Sequence, residues 1–304
     1  MQETLVIDDL IPEPDQHSIH NIIMSQAEWK FLPRWSATAG LRHSRVYFNS
    51  KDYFIRTGNG NDRVFLANGN SADSLAVGRL FTLNGGNGSD SLTSANGTLD
   101  LRGFTSFYSV NTVNLAPATG GGISTVGMQI TNPAQVALDN SLTIDGTNET
   151  VNINGSLGYS SNERADTVAI DGLSIAGTIN LLLGNGTNAV DFSATSQVAI
   201  AGSLVVACGN NDDTLTLSDA NPTTVDESVR ISLGNGTNTV TIDNATIEGD
   251  ISFKGGNGND IINIATIAKM VITNTVVANA VRKNNVFEVG MINPVQSYGS
   301  STAQ

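Results

Sequence analysis

Four stretches carry the fold: INLLLGNGTNAVDF (179–192), LVVACGNNDDTLTL (204–217), VRISLGNGTNTVTI (229–242) and DISFKGGNGNDIINI (250–264). Each reads as an apolar strand, a Gly/Asn turn and a second strand in which apolar and polar residues alternate. In Thr239-Val240-Thr241-Ile242 the Val and Ile point one way and the threonines the other. The turn glycines Gly184, Gly209 and Gly234 recur at 25 residues, and Gly256 follows after 22. Earlier turns at Gly58 and Gly86 are 28 apart. Degenerate copies of the second strand occur at NTVNL (111–115), NSLTI (140–144), ETVNI (149–153) and DTVAI (166–170), and short strands such as SQVAI (196–200) lie between turns.

A period of about 20 to 30 residues built from short strands is one coil of a solenoid. A lone coil cannot bury its apolar side chains. Stacking at about 4.8 Å per coil aligns Val190, Leu215, Val240 and Ile262 into one internal ladder. Glycines supply the positive φ that the corners need. The expected fold is all-β, a right-handed parallel β-solenoid of 22–28 residues per coil with little helix. A β-sandwich with regular turns is the rival, but sandwiches do not place one hexapeptide at a constant interval.

Composition agrees. The 304 residues include 31 Gly and 34 Asn, and 39% are hydrophobic, enough for a core. Acids outnumber bases 28 to 15, a net charge of −13. That argues against a broad nucleic-acid surface or an anionic-membrane surface, both of which need a basic face. No run of 18 apolar residues is present, so no membrane insertion is expected. A single cysteine, Cys208, excludes an intramolecular disulfide framework and four-thiolate zinc sites; just before a turn glycine in an apolar strand, it reads as a buried, inert thiol.

Residues 1–50 are a different kind of polypeptide, with one Gly, all three His and both Trp. They read as a cap or docking segment ahead of a solenoid over 51–290 and a tail over 291–304. Pro12 and Pro14 hold 8–16 extended. Ile19, Ile22, Ile23, Ala27 and Phe31 are spaced for one face of a short helix over 18–31. The first residues, MQETLVIDDLIPEPDQ, lack the basic and apolar regions of a secretory signal peptide.

Two turns, Gly85 to Thr93 and Gly255 to Asn263, fit the nonapeptide G-G-x-G-x-D-x-U-x at every fixed position, and Thr57 to Phe65 misses only the first Gly. Here the chain resembles the repeat-in-toxin (RTX) calcium-binding family of parallel β-rolls. The resemblance implies calcium held by turn carbonyls and Asp carboxylates of stacked corners, an ion suited to six to eight oxygen ligands in loose geometry. Carried onto matching positions, the metal residues would be Gly58, Gly60, Asp62, Gly86, Gly88, Asp90, Asp213, Gly256, Gly258 and Asp260. The departures are plain. One turn occurs per 22–28 residues rather than two nonapeptides per coil, which implies a three-strand cross-section with the motif on one edge. Asn188 and Asn238 stand where the motif has Asp, and Gly209-Asn210-Asn211-Asp212-Asp213 lacks the middle Gly. Calcium is expected first between Asp62 and Asp90. Gly-Asn-Gly is also good corner chemistry without an ion, since stacked Asn side chains hydrogen-bond to one another along a solenoid.

Other constellations are weaker. His17-x-x-His20 offers two imidazoles without evident further ligands. Asp212-Asp213, Asp226-Glu227 and Glu248/Asp250 are the paired carboxylates a glycan-cleaving β-helix would use. Asn-x-Ser/Thr triplets at Asn87, Asn185 and Asn235 follow from turn composition. Thr214-x-Thr216 and Thr239-x-Thr241 look like the rows of ice-binding solenoids, but the rows break at Asp191 and Asn263. No catalytic motif appears. The reading is a non-enzymatic structural or attachment protein on a virus particle or cell exterior. It would self-associate as a trimer or on a symmetric particle and could contact a surface glycan or receptor. A tailspike-like carbohydrate-active β-helix and a secreted RTX-like protein are the alternatives.

Overall fold

The computed structural model describes residues 52–66, 74–77, 80–94, 98–117, 119, 122–132, 138–161, 163–192, 195–217 and 221–264, and strands at 4–7, 20–32, 35–46, 271–272, 276–279, 286–289 and 302–303. Among them every regular element is a strand. A single coil shows the plan. Ile179–Gly184 leads into the Gly/Asn corner, Ala189–Asp191 leaves it, Ala199–Ile200 closes the coil, and Leu204–Cys208 begins the next. These three positions stack into three parallel faces: an entry face, an exit face and a closing face. Two long strands, Thr98–Tyr108 and Gly122–Thr131, bend from the closing face of one coil into the entry face of the next.

The apolar ladder expected from the repeat is present and longer than the clear repeats. On the exit face Val64, Leu92, Val113, Leu142, Val168, Val190, Leu215, Val240 and Ile262 are in register and buried. The entry face contributes Leu83, Phe107, Ile130, Tyr159, Leu181, Val206, Ile231 and Phe253 to the same core. Period-two alternation thus becomes one continuous apolar column, each rung closing off the next from water. The coil length varies from 21 to 29 residues between successive corner positions. That variation sits in the loops between faces. In a 22-residue step Gly172, at φ +61°, links Asp166–Asp171 directly to Leu173–Ile175. In a 25-residue step a loop separates Ala189–Asp191 from Ala199–Ile200.

Two expectations are corrected. The segment expected to be helical is a strand, His20–Leu32, paired antiparallel with Trp35–Val46. Ile23, Ala27 and Phe31 lie four apart, a spacing that a period of two satisfies as readily as one of 3.6, and Trp35–Val46 supplies the partner strand. His20 begins that strand, and His17 lies outside the described residues. ETVNI is not a copy of the exit strand either: Val151–Ile153 pairs with Ile123–Thr125 and Leu173–Ile175 on the closing face. Within the first fifty residues Thr4–Ile7 pairs in parallel with Arg63–Leu66 and so extends the exit face. At the other end Val286–Val289 continues that face beyond Ile261–Ile264, and Thr302–Ala303 pairs with Val277 and Ala278.

Candidate functional site: the Gly/Asn corner

Two residues before each ladder residue of the exit face, at the start of its strand, stands a buried Asp or Asn. In chain order these are Asp62, Asp90, Asn111, Asn140, Asp166, Asn188, Asp213, Asn238 and Asp260, none more than 3% exposed. They form one column inside the corner. The Asp62 N–H donates to Asp90 Oδ1 (2.9 Å), and the Asp90 N–H to Asn111 Oδ1 (3.1 Å). Asn111 Nδ2 donates to Asn140 Oδ1, and Asn140 Nδ2 to Asp166 Oδ1 (3.1 and 3.0 Å). The Asp166 N–H donates to Asn188 Oδ1, and Asn188 gives both its N–H and its Nδ2 to Asp213 Oδ1. The Asp213 N–H then donates to Asn238 Oδ1, and Asn238 Nδ2 to Asp260 Oδ1 (2.7 Å). Charge-assisted bonds to a carboxylate are among the stronger ones, and here they join neighbouring coils.

This changes the meaning of the Asn residues. From Asn140 onward the rungs alternate Asn and Asp, so every carboxylate sits beside neutral amides that donate to it. Asn188 and Asn238 are the donors that let Asp213 and Asp260 be buried. Only Asp62 and Asp90 are consecutive carboxylates. The sequence signal was an Asx two residues before each ladder residue, as in Asn111-Thr-Val113 and Asp166-Thr-Val168. It extends through coils that lack Gly-Asn-Gly and was missed there.

The column is not fully satisfied. The second carboxylate oxygens of Asp62, Asp90, Asp166 and Asp213 are buried without a hydrogen-bond partner. Burial pushes Asp90 up to about 6, with the neighbouring Asp62 charge adding to it. Burial does the same to Asp166 and Asp213, each to about 6, against the donors that favour their ionised forms. Asp166 collects the most donors: Tyr159 Oη (3.1 Å), Ser161 Oγ (2.6 Å) and Asn140 Nδ2 all meet its Oδ1. Cys208 packs against the core, and burial followed by the Asp213 charge pushes its thiol up, so a thiolate is disfavoured.

Outside this column runs a second one. Asn210 Nδ2 donates to Asn185 Oδ1 (2.9 Å), Asn235 Nδ2 to Asn210 Oδ1 (2.7 Å), and the Asn257 N–H to Asn235 Oδ1 (2.8 Å). Asn87 Nδ2 donates to Asn59 Oδ1 in the same manner (2.9 Å). The glycines permit the close stacking. Gly86 has φ +88°, and a Cβ there would lie 1.9 Å from the Gly58 carbonyl oxygen. A Cβ on Gly88 would meet the Gly60 carbonyl at 1.8 Å, and one on Gly256 or Gly258 the Gly234 or Gly236 carbonyl at 2.2 and 1.7 Å.

The donor set nearest to that of a cation site is at the corner where Asp62 and Asp90 stack: two adjacent carboxylates, each with an orphaned buried oxygen, and no amide between them. The fit is poorer at Asp213 and Asp260, where Asn238 stands between the two acids. Among the described residues no group of three or more His, Cys, Asp or Glu side chains comes together as a metal cluster, so backbone oxygens would have to complete any site. One carboxylate pair, Asp212-Asp213, is divided, whereas Asp226, Glu227, Glu248 and Asp250 are all exposed at the end of the closing-face strands Thr223–Val225 and Ala245–Ile247. Asp213 faces inward while Asp212 accepts the Thr237 N–H on the outside (2.7 Å), and Glu227 accepts the Ser203 hydroxyl (2.9 Å). No family model, curated protein or solved structure matches the chain.

Proposed function

We propose that the protein is a non-enzymatic structural or attachment element, an elongated β-solenoid displayed on a virus particle or a cell exterior. The observation that carries this reading is the unbroken pair of columns, apolar ladder and Asx ladder, from Asp62 to Asp260. Most buried polar side chains at the corner are committed to joining one coil to the next, which is the work of a rod. The division of Asp212 from Asp213 across the corner supports this reading over a glycan-cleaving one, which needs two carboxylates facing one substrate.

Calcium belongs to the proposal at one place. Asp62 and Asp90 would hold it, and it would neutralise two carboxylates that otherwise repel across the first corner. Asp213 and Asp260, with the glycines Gly58, Gly60, Gly86, Gly88, Gly256 and Gly258, serve the stacking described above. Immunogold labelling of the particle or cell that makes the protein tests the placement. Label on the exterior surface is expected; label confined to the interior would overturn it.

A further inference from the structure

The entry face carries two exposed aromatic rings on one strand. Phe104 is 46% and Tyr108 is 43% exposed, on either side of outward-facing Ser106 within Thr98–Tyr108. Four residues apart on an extended strand, their Cα positions are about 13 Å from one another. Among the described Phe side chains, those at 81, 107, 192 and 253 are fully buried and Phe65 is half-buried, so Phe104 is the most exposed of them.

The neighbouring strands flatten the surface around them. Gly127 is in register with Phe104, and a Cβ built there would meet ring carbons of Phe104 at 3.2 and 3.5 Å. The ring therefore reaches over the glycine, occupying space that a side chain there would take. Gln129 is treated the same way: its Oε1 lies 2.0 Å from where a Gly158 Cβ would be. Its Nε2 donates to the Ile130 carbonyl (3.2 Å), so the side chain is held along the sheet. Thr82, Thr131 and Asn180 supply further hydroxyls and an amide on the same face.

We propose that this face binds a linear neutral glycan, with Phe104 and Tyr108 as stacking platforms. A pyranose ring presents C–H groups on its faces and hydroxyls around its rim. The C–H faces suit the negative π-face of an aromatic ring, and the rim needs groups that both donate and accept, which Ser, Thr, Asn and Gln supply. Charge selects the neutral class. The exposed Arg56, in register with Asn84, borders the patch on one side; beyond it, across the entry strands from Leu80–Asn84 to Ile179–Gly184, the described outward positions carry no group charged at neutral pH, although the molecule bears −13 overall. An acidic glycan would meet the surrounding negative field, and a basic protein would find no carboxylate on this patch to pair with.

The inference rests on the attachment reading and names what is attached to. The test uses the full-length chain in affinity electrophoresis through gels containing hydroxyethyl cellulose, xylan, laminarin or polygalacturonate. Retardation by at least one neutral polymer is expected, and none by polygalacturonate. Tyr108→Ala should weaken that retardation roughly tenfold without moving the melting temperature, since its side chain is half in water. Gln129→Ala should weaken it less, and Thr216→Ala on the exit face not at all. Passage through every neutral gel, retardation unaltered by Tyr108→Ala, or loss of self-association in place of glycan binding would overturn the inference. Surface labelling that persists in that event would leave the structural reading standing.

Discussion

At the scale of single residues, the corner column turns on how a carboxylate can be buried. Asp213 accepts from Asn188 twice through Oδ1, while its Oδ2 is orphaned. Folding therefore favours the protonated acid, as it does for Asp90 and Asp166, all raised to about 6. Because these folded values lie above the unfolded one of about 4, the stabilisation is complete below about pH 4 and is lost as pH rises through about 6. In chelator the melting temperature should fall between pH 5 and pH 7.5. Asp213→Asn should flatten that slope and add about 1 kcal/mol at pH 8, whereas Asp213→Ala strands the Asn188 donors and should cost about 2–3 kcal/mol at either pH. At the first corner, the proposed calcium would take the place of the proton. Binding to the folded chain alone raises stability by about 2.7 kcal/mol at a hundredfold excess over Kd. Millimolar calcium should raise the melting temperature, and the Asp62→Asn/Asp90→Asn double variant should abolish the rise. An unchanged melting temperature in the unaltered chain would leave these corners to Gly and Asn alone.

At the scale of the element, the unit is a coil, and its corner is more constrained than its strands. A Gly86→Ala change meets both a positive φ and the Gly58 carbonyl, so it should cost more than about 2 kcal/mol. Leu215→Ala in the middle of the apolar ladder should cost about 2–5 kcal/mol, and urea titrations of both variants check the two values. What was legible in the residues follows the same division. The four clear repeats align Val190, Leu215, Val240 and Ile262, and that register is the one observed. The three-strand cross-section also followed, from one turn motif per coil. The role of Asn188 and Asn238 was not legible. A motif compares each residue with a template, whereas their function is a bond to the coil above or below. The hairpin over 20–46 was missed because a short apolar stretch carries two periods at once, and only the partner strand decides between them.

At the scale of the whole molecule, each parallel face ends, among the described residues, in an edge strand at either side. Thr4–Ile7 lies along the edge of Arg63–Leu66, and Val286–Val289 continues the exit face at the other end. Open parallel edges invite pairing unless they are covered, so the proposed attachment role carries an expectation of self-association. Sedimentation velocity at high micromolar concentration should show a species larger than the 31.8 kDa monomer, and a single monomer peak would count against it. The stacking itself is tested most directly by distances between spin labels in a Cys208→Ser background. Ser91, Thr167, Thr214 and Thr239 occupy one outward row of the exit face, three, five and six coils from the first. With about 4.8 Å per coil, pairs from Ser91 should give backbone separations near ~14, ~24 and ~29 Å, rising linearly with coil number. Distances that do not increase in that order, or that place Ser91 and Thr239 closer than Ser91 and Thr167, would contradict the solenoid.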